Sequence, residues 1–131
     1  MGAWGIGHFE SDDAGDWVWE LEEAKSLAPV VEAISAVEAS ADYLEAPDAS
    51  VGLAAAEVVA ASIGKPSPDL PVSVAEVVAS LSAPADAELV TRARSAVARI
   101  GADSELKELW EDGDDFAEWQ SKVSDLTSRL E

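Results

Sequence analysis

Apolar residues in this chain recur at intervals of three and four and almost never alternate, which restricts it to helices before any other property is considered. The cleanest run is Phe116, Trp119, Val123, Leu126 and Leu130, a stripe along one side of a helix that needs a groove to fill. That groove belongs either to the domain's own core or to a second subunit. Twenty-five alanines among 131 residues strengthen the reading, because alanine is the best helix former. The expected fold is all-α: a compact single-domain bundle of about six or seven helices covering 1–131, with a glycine-rich N-terminal lead-in. A chain of this length can bury roughly two thirds of its unfolded surface, so it needs no metal or disulfide to fold.

Helix starts and stops can be placed along the chain. Ser11 followed by Asp12 and Asp13 reads as a cap with negative charge at the positive end of the helix dipole, opening a helix to about Leu27. Its buried stripe is expected to be Ala14, Trp17, Leu21, Ala24 and Ala28. Pro29 opens a second helix, with Val30, Ile34, Val37, Ala41 and Leu44 on one face, and Ala46-Pro47 is expected to end it. Asp48 or Ser50 then caps a third, stopped by Gly64. The three prolines of 65–71 make an extended connection. Ser73 and Pro84 start two further helices, Asp103 or Ser104 a short one closed by Gly113, and Asp115 with Glu118 the last.

Charge is the strongest global property, with 27 acidic against 8 basic residues and a net charge of −19. Residues 1–91 hold only two bases, Lys25 and Lys65, so any basic patch must come from Arg92, Arg94 and Arg99. Nucleic acid would be repelled, and the surface reads as a docking face for a basic protein, as a mimic of nucleic acid, or simply as a solubility or high-salt feature. No cysteine is present, which removes disulfides, thiolate zinc sites and a cysteine nucleophile, and fits a reducing compartment. No run is long and apolar enough for a membrane span, and the first twenty residues are acidic where a signal peptide is basic and then apolar. Ile6 stands where a myristoylation motif needs Ser or Thr. The protein is therefore expected in the cytoplasm, as a monomer or homodimer, with no membrane or nucleic acid among its partners.

The densest chemistry lies in MGAWGIGHFESDDAGDWVWE, which combines glycines, three tryptophans, the only histidine and a set of carboxylates. Physically, Gly5 and Gly7 would let the lead-in fold back, with Trp4 and Phe9 as anchors and Trp17 as the floor. The candidate binding residues are Trp4, His8, Phe9, Asp12, Asp13, Asp16, Trp17 and Trp19, a set suited to a cation, an amine or a basic side chain, since carboxylates and aromatic faces both attract positive charge. Trp19 falls off the stripe of Trp17 and Leu21 and is expected at the surface. Asp12 and Asp16 are one turn apart and could share an ion with His8, but a hard cation needs about six oxygens and no calcium-loop pattern exists. No metal and no cofactor are expected.

The spacing Gly2-x-Trp4-Gly5-x-Gly7-x-Phe9-x-x-Asp12-Asp13-Ala14-x-Asp16-Trp17 resembles the opening signature of a bacterial family known as domain of unknown function 4259. AAAEVVAASIGKP at 54–66 is similar to that family's later alanine-rich helix and proline exit. The resemblance implies a small, stand-alone, intracellular helical protein and carries no assigned activity.

Catalytic templates are missing. Gly5-Ile-Gly7 lacks the third glycine of a dinucleotide fingerprint, and there is no Walker loop, no HExxH and no GxSxG. The sequence thus points to a protein-interaction or immunity/inhibitor-type binding module. Two alternatives remain: a metal-dependent or acid/base enzyme built on the N-terminal His/Asp cluster, and a structural homodimer through the last helix.

Overall fold

Between Asp48 and Lys65 the only charged side chain is Glu57, so a helix formed there has no face fit for water and must sit in the middle of the molecule. The computed structural model, which describes residues 7–40 and 42–131, places it there. The described residues form seven helices: α1 (Asp12–Ala24), α2 (Ala28–Ala39), α3 (Ala46–Ser62), α4 (Val72–Ser80), α5 (Ala87–Ala102), α6 (Glu105–Glu111) and α7 (Phe116–Arg129). α3 touches all six others, and from Gly52 to Ala61 every residue is buried. The architecture is an all-α bundle wrapped around one central helix.

Small residues let the neighbours close on that axis. At Gly52 a β-carbon would lie 2.8 Å from Val37 Cγ2 and 3.0 Å from Ile100 Cδ1, so α2 and α5 approach α3 where no side chain intervenes. The remaining core is aliphatic, with Val30, Ile34, Leu44, Leu53, Ile100, Leu126 and Leu130 among its fully buried members.

Two of the predicted caps hold: Ser11 and Ser104 accept from the backbone N–H of Ala14 and Lys107 at 3.1 and 3.0 Å. Elsewhere the starts differ: α3 is preceded by Glu45 rather than capped by Asp48 or Ser50, α4 by Pro71 rather than Ser73, α5 is capped by Asp86, two residues past Pro84, through Leu89 N–H at 2.8 Å, and Asp115 precedes α7 without a side-chain bond. Gly64, at φ 85°, follows α3 as the left-handed stop. Ala46-Pro47 opens α3 rather than ending α2, for a proline at the first turn gives up a hydrogen bond that was unavailable anyway. The exposed backbone N–H of that turn is met from outside, where Glu105 Oε1 accepts from Ala46 N at 2.7 Å. α1 stops at Ala24, with Lys25 in the left-handed conformation, so Ala24 and Ala28 are exposed rather than part of the buried stripe.

The α7 stripe fills the chain's own core. Trp119, Val123, Leu126 and Leu130 are buried against α3, α5 and α6. Trp119 stacks on Trp110 and Phe116, with centroids 6.3 and 6.1 Å away. Among the described residues no helix is long and apolar enough to cross a membrane.

Candidate functional site

Along α7 a second, polar face carries Glu118, Ser121, Lys122, Asp125 and Arg129, spaced as one side of a helix. Opposite it stand the turn at residues 7–10, Glu57 of α3, and the connection Ser67–Pro71. Together they bound an open cleft of about 750 Å³. The turn is closed by two bonds, Glu10 N–H to Gly7 O at 3.0 Å and Gly7 N–H to Glu10 Oε1 at 3.2 Å. The connection, expected to be extended throughout, turns at Pro68-Asp69, where Leu70 N–H donates to Ser67 O and Asp69 N–H to Ser67 Oγ, both at 3.1 Å, and Asp69 in that turn reaches α7.

The deepest charges are an ion pair. Glu57 is 3 % exposed and sits on a helix with no other charge along its buried length, where an unpaired carboxylate would be costly. Arg129 supplies a partner through two parallel bonds, Nη1 to Oε1 at 2.8 Å and Nη2 to Oε2 at 3.0 Å. Its Nε donates to Asp125 at 2.9 Å and Nη1 also reaches the Lys65 carbonyl at 3.2 Å. The carboxylates hold the guanidinium pKa above its ordinary value, the Glu57 bonds first. At the rim Lys122 donates to Asp69 at 2.8 Å, which lowers the Asp69 pKa and raises that of Lys122.

His8 lies beside this pair. Its Nε2 is 3.9 Å from Glu57 Oε2, too far for a hydrogen bond. Among the described residues neither ring nitrogen has a hydrogen-bond partner, and both are enclosed. Burial lowers the His8 pKa, and this outweighs the opposing attraction of Glu57 and of the Lys122 main chain, while Arg129 and Lys122 add to the lowering. The neutral form of the ring is thereby favoured.

Five carboxylates line the cleft, from Glu10, Glu57, Asp69, Glu118 and Asp125, against the cations of Lys122 and Arg129. Both cations are already engaged by three of the five. Glu118 forms no ion pair among the described residues, and Glu10 meets only the Gly7 N–H. The arrangement has the chemistry to bind positive charge. Among the described residues no group of three or more histidine or acidic side chains is arranged to hold a metal ion.

The residues singled out by sequence are divided by the fold. His8 and Phe9 line the cleft. Asp12, Asp13 and Asp16 are exposed on the first turns of α1 and do not line it. Trp17 is core, 5 % exposed, with its Nε1 donating to the Pro29 carbonyl at 3.4 Å. Trp19 is 63 % exposed, as its phase predicted. Trp4 lies outside the described residues. Sequence reasoning missed Glu57, Asp69, Glu118, Lys122, Asp125 and Arg129. For Glu57 a signal existed, a single carboxylate inside an otherwise apolar stretch of helix.

The sequence model of a family described as "Domain of unknown function (DUF4259)" matches residues 2–122. No curated protein and no solved structure matches the chain.

Proposed function

The chain belongs to the DUF4259 family, and since that description assigns no activity we propose, from this chain's own residues, that it is a protein-binding module that docks a basic partner. The observation that carries this reading is the cleft between the 7–10 turn and α7, whose lining holds three more carboxylates than cations. In a chain of net charge −19 that excess is not balanced from elsewhere, so the field at the cleft mouth draws positive charge inward and raises the encounter rate.

A second surface feature supports the same reading. Trp19 stands exposed on α1 among Asp16, Glu20 and Glu23, all of them exposed as well. An aromatic anchor within a carboxylate surround suits a basic protein segment that also buries apolar or guanidinium surface. An immunity or inhibitor role is one form of such docking. The acid/base enzyme alternative built on His8 with Asp12, Asp13 and Asp16 has less support, because those three aspartates do not line the cleft that His8 lines.

Calorimetric titration of the protein with an arginine- and lysine-rich peptide tests the proposal. Binding is expected at low ionic strength, weakening steeply as salt is added, with no binding of a glutamate-rich peptide of equal length. Salt-insensitive binding, or equal binding of both peptides, overturns it.

A further inference from the structure

We propose that the cleft holds the guanidinium head of one arginine side chain of the partner protein, with the His8 ring at its floor as hydrogen-bond acceptor. This inference deepens the docking reading above and rests on it.

Two observations converge on that occupant. The first is the disposition of charge. Lys122 is tied to Asp69, and Arg129 to Glu57 and Asp125, so the carboxylates of Glu10 and Glu118 are left facing a cleft that offers no further cation among the described residues. The second is His8. A neutral imidazole carries one N–H and one lone pair, and the polar groups beside this ring are the Glu57 carboxylate at 3.9 Å and the Lys122 main chain. The Glu57 carboxylate can only accept, and its oxygens are already engaged by Arg129. The ring lone pair therefore has no donor among the described residues, although the side chain lines the cleft and is 2 % exposed. A buried acceptor without a donor is a costly arrangement unless something arrives to supply one.

Guanidinium meets these requirements better than ammonium. Its planar fork presents five N–H donors, enough to serve two carboxylates and a lone pair together, and its weaker hydration makes entry into a half-enclosed site less costly. An anion is refused by the same lining. Because the ring nitrogens are enclosed, contact with His8 requires the 7–10 turn to shift, a turn that among the described residues is closed by the two Gly7–Glu10 hydrogen bonds and seated by Phe9 against the core.

His8 is the only histidine, so its ring signals in an NMR titration report on the floor of the cleft alone. The full chain at neutral pH is titrated with a capped Gly-Arg-Gly peptide, the matching citrulline peptide, and spermidine. The arginine peptide is expected to move the His8 ring signals saturably, and the citrulline peptide is not. Combined Glu10→Gln and Glu118→Gln, both at exposed positions, is expected to weaken arginine binding on the order of tenfold with the melting curve retained. Spermidine binding as tightly with the same His8 shift overturns the assignment to a protein side chain in favour of a small polyamine. Binding of an arginine-rich peptide that leaves the His8 signals and the double variant's affinity unchanged overturns the cleft assignment and leaves the docking reading standing. If no cationic peptide binds at all, both fall.

Discussion

His8 places a titratable ring where the protein gives its charged form little support, and that has a thermodynamic signature. In the unfolded chain the ring titrates near its ordinary value of about 6.5, whereas burial lowers the folded value. Above 6.5 both states carry a neutral ring and the full stability is present. As pH falls from 6.5 through the lower folded value, the unfolded state takes up a proton that the folded state refuses, and stability is lost. The slope cannot exceed about 1.4 kcal/mol per pH unit for one proton. With a single histidine in the chain, the difference in pH dependence between wild type and His8→Gln over pH 7 to 5 isolates this residue's share, and denaturant unfolding of the two checks it. The wild type is expected to lose stability on acidification relative to the variant. Equal pH dependence of the two would mean that Glu57, in spite of its fork with Arg129, accommodates the imidazolium. Sequence made His8 and Phe9 visible, because a lone histidine among glycines and aromatics is improbable. It hid Arg129, whose partner Glu57 is 72 residues away and joins it only through the packing of α7 on α3.

Among the elements, α3 decides the fold and shows what a one-dimensional pattern leaves out. Its existence and its stop at Gly64 were legible from alanine content and from a glycine placed just past the apolar run, the only glycine in the described residues with positive φ. Its start was not, because Ala46-Pro47 fits equally the end of one helix and the first turn of the next, and the choice falls to Glu105 of α6, which caps Ala46 from across the bundle. α7 was legible throughout because one face is apolar and the other polar. The contrast has a physical cause, since periodicity reports a boundary with water and α3 has no such boundary along most of its length. What replaces periodicity there is size, and Gly52 is the tightest point, where a β-carbon would meet Val37 Cγ2 and Ile100 Cδ1 at 2.8 and 3.0 Å. Gly52→Val forces both neighbours off their positions, and overpacking of this kind costs about 1–3 kcal/mol. Gly15→Val, on α1 with nothing within 4 Å of its β-carbon, is the matched control and is expected to leave stability within about 0.5 kcal/mol of wild type. Equal destabilisation of the two variants in urea unfolding would show that α3 is not packed as closely as the distances imply.

For the whole molecule, the charge that favours a basic partner also acts against folding, because a compact chain of net charge −19 brings its carboxylates closer together than the unfolded chain does. Two effects of salt then compete. Screening weakens the ion pairs, yet those of Arg92 with Glu38, Lys107 with Glu111 and Lys122 with Asp69 have well-exposed carboxylates, and pairs of that kind contribute about 0–1 kcal/mol each. The Glu57–Arg129 pair is largely enclosed and is screened much less. Against them stands the mutual repulsion of 27 acidic residues with only 8 bases to offset it, which salt screens with a length of about 10 Å at 0.1 M. Repulsion outweighs the exposed pairs, so the melting temperature is expected to rise with sodium chloride. A gain of about 1 kcal/mol corresponds to roughly 4 °C for a domain of this size. The same rise should follow from potassium chloride and choline chloride at equal ionic strength, since screening depends on the concentration of charge and not on which monovalent cation carries it. A melting temperature that falls with salt would mean that the ion pairs dominate after all. A rise produced by one divalent cation alone, at matched ionic strength, would instead point to a specific ion site among the carboxylates and would favour the metal-dependent alternative over docking.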